Sequence, residues 1–171
     1  MLYSLYANLY TALQKRIKEQ VKEIAWIDLD LGQLEIADEI ERKRVKFPCV
    51  LIDFPTASYK DESKGVQWVD INISVRLATA PFSSTSGATP TQVQEKGLSY
   101  FELENKLYVV LQGFDCDENV QGLSRVSVAT EQREDTIRVR EMMFTTATED
   151  ESAQDYENVI AAPLQIDNEL E

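Results

Sequence analysis

The chain has 171 residues, 43% of them hydrophobic, and a formal net charge of −13. That length suffices for one domain with its own core, and the acidity argues against a nucleic-acid binder that works by neutralising phosphates. No apolar run approaches the ~20 residues of a membrane span, and Cys49 and Cys116 are too few for a disulfide framework, so both read as reduced thiols.

Residues 2–24 predict a helix. Leu2, Leu5, Tyr6, Leu9, Leu13, Ile17, Val21 and Ile24 recur at spacings of three and four and form one apolar stripe. The same stretch lacks the small-residue cleavage site of a secretory signal. "AWIDLDLGQLEI" reads as a short strand or a turn punctuated by Gly32, and residues 38–46, "DEIERKRVK", as an exposed charged loop. "FPCVLIDF" reads as a short buried strand over about 48–54, followed by an eleven-residue polar loop, 55–65, centred on Tyr59.

The clearest signal is at 66–79. Val69, Ile71, Ile73, Val75 and Leu77 alternate with Asp70, Asn72, Ser74 and Arg76, which predicts a strand with one buried and one wet face. At about 3.3 Å per residue it spans roughly 45 Å, as long as a chain of this size is wide, given an expected radius of gyration of roughly 15 Å. A short partner strand would leave half of its edge unpaired. After the breaker "PFSSTSGATP", Thr89, Pro90 and Gln92 predict a capped start for a helix over 90–112, with Gly113 as its terminator. Residues 123–130 and 136–148 predict a closing hairpin. In its second strand the apolar phase changes between Val139 and Met142, which predicts a bulge near Glu141 or Met142. Residues 149–171 carry eight acids and no base and predict a mobile tail beyond a single domain over 1–148. The expected architecture is α+β: two helices on one face of a four-stranded antiparallel sheet, in the order α-β-β-α-β-β.

The residues that carry chemistry elsewhere are scarce. There is no histidine, which removes the commonest general base and metal ligand. Cys49 sits in an apolar strand and reads as core, and Cys116 lies among acids that blunt a thiol. Asp28 with Asp30, and Asp115 with Asp117 and Glu118, could meet a hard cation, but neither set has EF-hand spacing. The six glycines form no phosphate loop. Arg42, Lys43, Arg44 and Lys46 make the one basic cluster, either a solvated loop or a contact for phosphate or an acidic partner. Tyr3, Tyr6 and Tyr10 recur at helical spacing as core or interface filling.

The order of an amphipathic helix, "FPCVLIDF", "VQWVDINISVRLAT", the helix "TQVQEKGLSYFELENKLYVVLQGF" and the hairpin "LSRVSVATEQREDTIRVREMMFTTAT" resembles the tail terminator, or tail-completion, proteins of long-tailed bacteriophages and prophages. The resemblance covers roughly residues 1–148 and rests on element order. It implies a non-enzymatic structural protein of a phage neck without cofactor or metal. Its subunits would form a ring, commonly a hexamer, that caps the tail tube and meets the head-side connector. It implies location in the virion, with assembly in the bacterial host cytoplasm, and neither a membrane nor a specific nucleic-acid sequence as partner. A head–tail connector protein and a cytosolic, non-enzymatic binding adaptor are the alternatives. In the ring reading, Asp70, Asn72, Ser74 and Arg76 line the channel or the seam between subunits. Tyr59 reaches the next ring or the tube, and Arg42, Lys43 and Arg44 complete the candidate contacts.

Overall fold

The computed structural model describes residues 4–36, 45–63, 65–80, 85–133 and 137–153. Among these, seven elements follow in the order α1 (Leu5–Gln20), β1 (Trp26–Leu29), β2 (Cys49–Ser63), β3 (Val66–Thr79), α2 (Thr91–Leu111), β4 (Ser124–Thr130) and β5 (Arg138–Asp150). The strands form one sheet in the order β1-β2-β3-β5-β4, parallel between β1 and β2 and antiparallel elsewhere. The expectation of four antiparallel strands in the order α-β-β-α-β-β is therefore corrected. "WIDL", four residues, is a fifth strand that returns parallel to the start of β2, and the sheet is mixed.

The two helices share one face, as their apolar stripes require. Leu9, Leu13 and Ile17 of α1 and Leu103, Leu107 and Leu111 of α2 pack on Val69, Ile71, Ile73, Val75 and Leu77 of β3 and on Met142 and Phe144 of β5. The Ser4 hydroxyl caps α1 by accepting from the Ala7 N–H. The helix ends four residues earlier than its stripe, but Val21 stays buried in the same core. Pro90 takes the N-cap position of α2, so the expected cap by Thr89 is replaced by backbone bonds from Val93 and Gln94 to the Pro90 carbonyl. Gly113 follows the second helix at φ 71°, the left-handed conformation that suits a glycine there.

Two further corrections concern the long strand. β2 is fifteen residues rather than seven, and residues expected to form the loop 55–65 pair with β3 up to Ser63↔Val66. Gly65, at φ 83°, lies in the tight connection between the two strands. β3 matches its expected bounds, but it has no surplus edge, because β2 and β5 flank it almost from end to end. Polar β2 extends because its inward positions, Ala57 and Tyr59, still oppose Ile71 and Val69. A register irregularity between Asp53 and Thr56 absorbs Pro55, which has no N–H to give to a ladder.

The phase change in β5 has a different cause from the one expected. The β3–β5 register runs without interruption, and the bulge lies in β4, between Arg125 and Ser127. Val139 faces away from the helices, into a second small core with Leu34, Val45, Cys49, Leu51 and Ala78, packed against Trp26, Phe47 and Ile137. Near this end of the sheet both faces are dry, so an apolar residue is at home on either parity. β5 runs through Glu149 and Asp150, opposite Trp68 and Gln67. The remainder of the expected mobile tail, from residue 154, lies outside the described residues.

Candidate assembly interface

The sheet face opposite the helices is divided in two. Its first half is sealed by the second core and by an ionic cluster around Arg76. The guanidinium donates through Nη1 to Asp30 Oδ2 at 2.5 Å, through Nη2 to Glu35 Oε1 at 2.6 Å, and through Nε to Glu131 Oε1 at 2.6 Å. Arg133 joins by donating to Glu35 and Glu131 and to the Leu34 carbonyl. Burial disfavours the charged guanidinium, but the three carboxylates more than offset this and raise its pKa further above the usual arginine range. The cluster ties the segment after β1 and the segment after β4 to the later part of β3.

The second half of that face carries Thr56, Ser58 and Lys60 of β2, Trp68, Asp70 and Asn72 of β3, and Thr145 and Glu149 of β5, all exposed or half-buried. It is a largely polar surface carried on a continuous ladder. Beside it runs an open edge. β1 pairs only with Cys49–Ile52, and the last bond on that side is from the Asp30 N–H to the Ile52 carbonyl, at 2.9 Å. Beyond Ile52 no described strand lies against the outer side of β2. Pro55, the irregularity beside it, Lys60, Asp61 and Glu62 are the features by which edges avoid indiscriminate pairing.

The expected interface residues divide along the same line. Asp70 is exposed, and Asn72 donates from Nδ2 to Thr56 Oγ1 at 2.8 Å across the open face. Ser74 is buried and donates to Glu141 Oε1 at 2.6 Å, and Arg76 is engaged by the ionic cluster. Tyr59 is not at the centre of a loop: it lies in β2 on the helix side, and its hydroxyl is 2.7 Å from that of Tyr6. Tyr6 also meets Phe54 edge-on, with centroids 5.3 Å apart. Arg42, Lys43 and Arg44 lie outside the described residues; Lys46 is exposed.

Three of the candidate carboxylates have local partners. Asp30 serves Arg76, Asp28 accepts from the Leu29 N–H, and Asp117 accepts from the Glu118 N–H. Burial pushes the Cys49 thiol up to about 12, and burial with Asp115 and Asp117 does the same to Cys116. What sequence reasoning missed is the β2 edge. Its signal was the weak alternation of Phe54, Ala57 and Tyr59, broken by Pro55.

No protein-family model and no curated protein matches this chain. Its fold is nevertheless shared with a protein chain in a solved structure described as "Virion of native gene transfer agent (GTA) particle". The TM-score is 0.52 at 11% sequence identity, over 87% of this chain and 100% of that one. At that identity the likeness is one of fold. A chain with this five-stranded mixed-sheet fold, rather than the four-stranded one expected from element order, thus occurs in a virion. No helix among the described residues is long and apolar enough to cross a membrane.

Proposed function

We propose that this protein is a structural subunit of a phage-like particle, of the tail-terminator type: it closes into a ring that caps the tail tube and meets the head-side connector. The observation that carries this reading is the match of a whole virion chain within this one. The shape supports it. The described surface offers a largely polar face and a free strand edge, the means by which one copy meets the next, rather than a cleft with converging reactive groups. In this reading the seam uses the outer side of β2 beyond Ile52, one of the sheet's open edges among the described residues together with that of β4, whereas β3 has both of its edges occupied. A head-to-tail contact at that edge, repeated around an axis, closes a ring. Asp70 and Asn72, beside the edge, are the polar residues available to the seam or the channel.

The test is a native mass spectrum of the full-length protein, alone and with its tail-tube protein, at low and moderate salt. A single closed oligomer, weakened by Asp70→Lys without loss of folding, is the expected result. A protein that remains monomeric at high concentration with the tube protein present overturns the reading.

A further inference from the structure

The outer side of α1 carries a lysine stripe. Lys15 and Lys18 of α1, with Lys22 in the turn just past its end, line a shallow groove with Thr11, Gln14 and Glu19. Among the described residues no carboxylate forms an ion pair with these lysines, whereas Lys106 pairs with Glu23 and Arg140 with Glu104. Arg16 faces the other way, donating to the Val110 carbonyl and stacking on Phe114. The stripe is thus a concentration of positive charge on a protein of net charge −13.

The complementary charge is in the same chain. Residues 154–171 contain Asp155, Glu157, Asp167, Glu169 and Glu171 and no base. The fold brings the start of this segment beside the first turn of α1, and the lysines follow along the helix toward its other end. Thr148 lies across Val69 from Tyr59, and the Tyr59 hydroxyl contacts that of Tyr6 in the first turn of α1. Two strand spacings make that separation about 10 Å. From Tyr6, Lys15 lies about 14 Å and Lys18 about 18 Å along the axis, at 1.5 Å per residue, and Lys22 lies just past the end of the helix. Eighteen residues can extend to roughly 60 Å, so the reach is ample. The competing base, Lys46, precedes β2 at the opposite end of the sheet, where Cys49 opposes Ala78 and Ala78 opposes Val139. That end is about 36 Å from Asp150 along β5, beyond the roughly 17 Å that Asp155 can extend but within the reach of Asp167, Glu169 and Glu171, so links to Lys46 are the competing outcome.

We propose that the acidic segment 154–171 docks along the lysine stripe of its own α1. It then covers this lysine face, and any partner of that face must displace it. Binding is electrostatic: raising the ionic strength from about 0.1 M to about 1 M shortens the screening length from ~10 Å to ~3 Å and releases the segment.

Zero-length carbodiimide coupling of the full-length protein at low salt tests this. Links from Lys15, Lys18 or Lys22 to acids beyond Ala153 are expected, suppressed severalfold at high salt. In a mixture of ordinary and isotope-labelled protein they should remain within one chain. Links that join labelled to unlabelled chains, or that go instead to Lys46 or Lys60, overturn the proposal. Amide relaxation supplies a second readout. The full-length triple variant Lys15→Glu, Lys18→Glu, Lys22→Glu should free the motion of residues 155–171 on the ps–ns scale, and the triple lysine-to-arginine variant should not. Equal motion in all three proteins also overturns it.

Discussion

Arg76 is the side chain on which three separate segments converge, and it is 13% exposed, with Asp30 at 11%. A guanidinium fork can serve several carboxylates at once, and an ammonium cannot reproduce its geometry. Arg76→Leu should cost about 3–5 kcal/mol of unfolding free energy, because it leaves Asp30 charged and nearly buried. Arg76→Lys should fall between that variant and the wild type; urea denaturation measures both. A second effect at this scale concerns pH. The Cys49 and Cys116 thiols are pushed up from 9.0 to about 12 by burial. Tyr6 is raised from 10.0 to about 12, by burial first and by its bond to Tyr59 second. Each group keeps its proton better in the folded chain, so its stabilisation is complete below the unfolded value and is lost as pH rises through the folded one. The urea midpoint should therefore fall between about pH 9 and pH 12, and Cys116→Ala should flatten part of that decline.

At the scale of the element, the outer edge of β2 is held back from indiscriminate pairing by a proline and a lysine. Replacing both, Pro55→Val with Lys60→Val, should restore a donor and a β-branched surface. Light scattering should then show concentration-dependent aggregation that the wild type lacks. The elements differ in how legibly they were written. β3 was legible to the residue, because one buried and one wet face impose strict alternation. The helices were legible to within a few residues, because the stripe continues past the last hydrogen bond, as Val21 shows. β1 was ambiguous, since four residues are too few to establish a period. The distal half of β2 was misread as a loop: "PTASYKDES" is polar because one side of it is wet and only Ala57 and Tyr59 face the core. The phase change in β5 was seen but wrongly explained, because a second core on the far face is a tertiary fact that no single strand records. Of the candidate interface, Asp70 and Asn72 emerged on the open surface, whereas Ser74 and Arg76 proved to be internal partners.

For the whole molecule, the arrangement predicts an order of opening. β3 is bonded on both sides and covered by α1 and α2 over its apolar face, so its amides should exchange with solvent only in global unfolding, while those of β1 and the outer positions of β2 exchange through local opening. Hydrogen exchange resolved by residue checks this ranking; early exchange in β3 would contradict it. The same ladder has a mechanical meaning. β3 and β5 are joined through thirteen consecutive residue pairs, and β2 braces the other side of β3 along nearly the same length. A push on the hairpin tip at Gly65 loads those rungs together, in shear, instead of breaking them one after another. The tip and the far end near Thr79 must then move as the two ends of one strut, so a displacement imposed on one side of the subunit arrives on the other as a tilt, undiminished by bending between them.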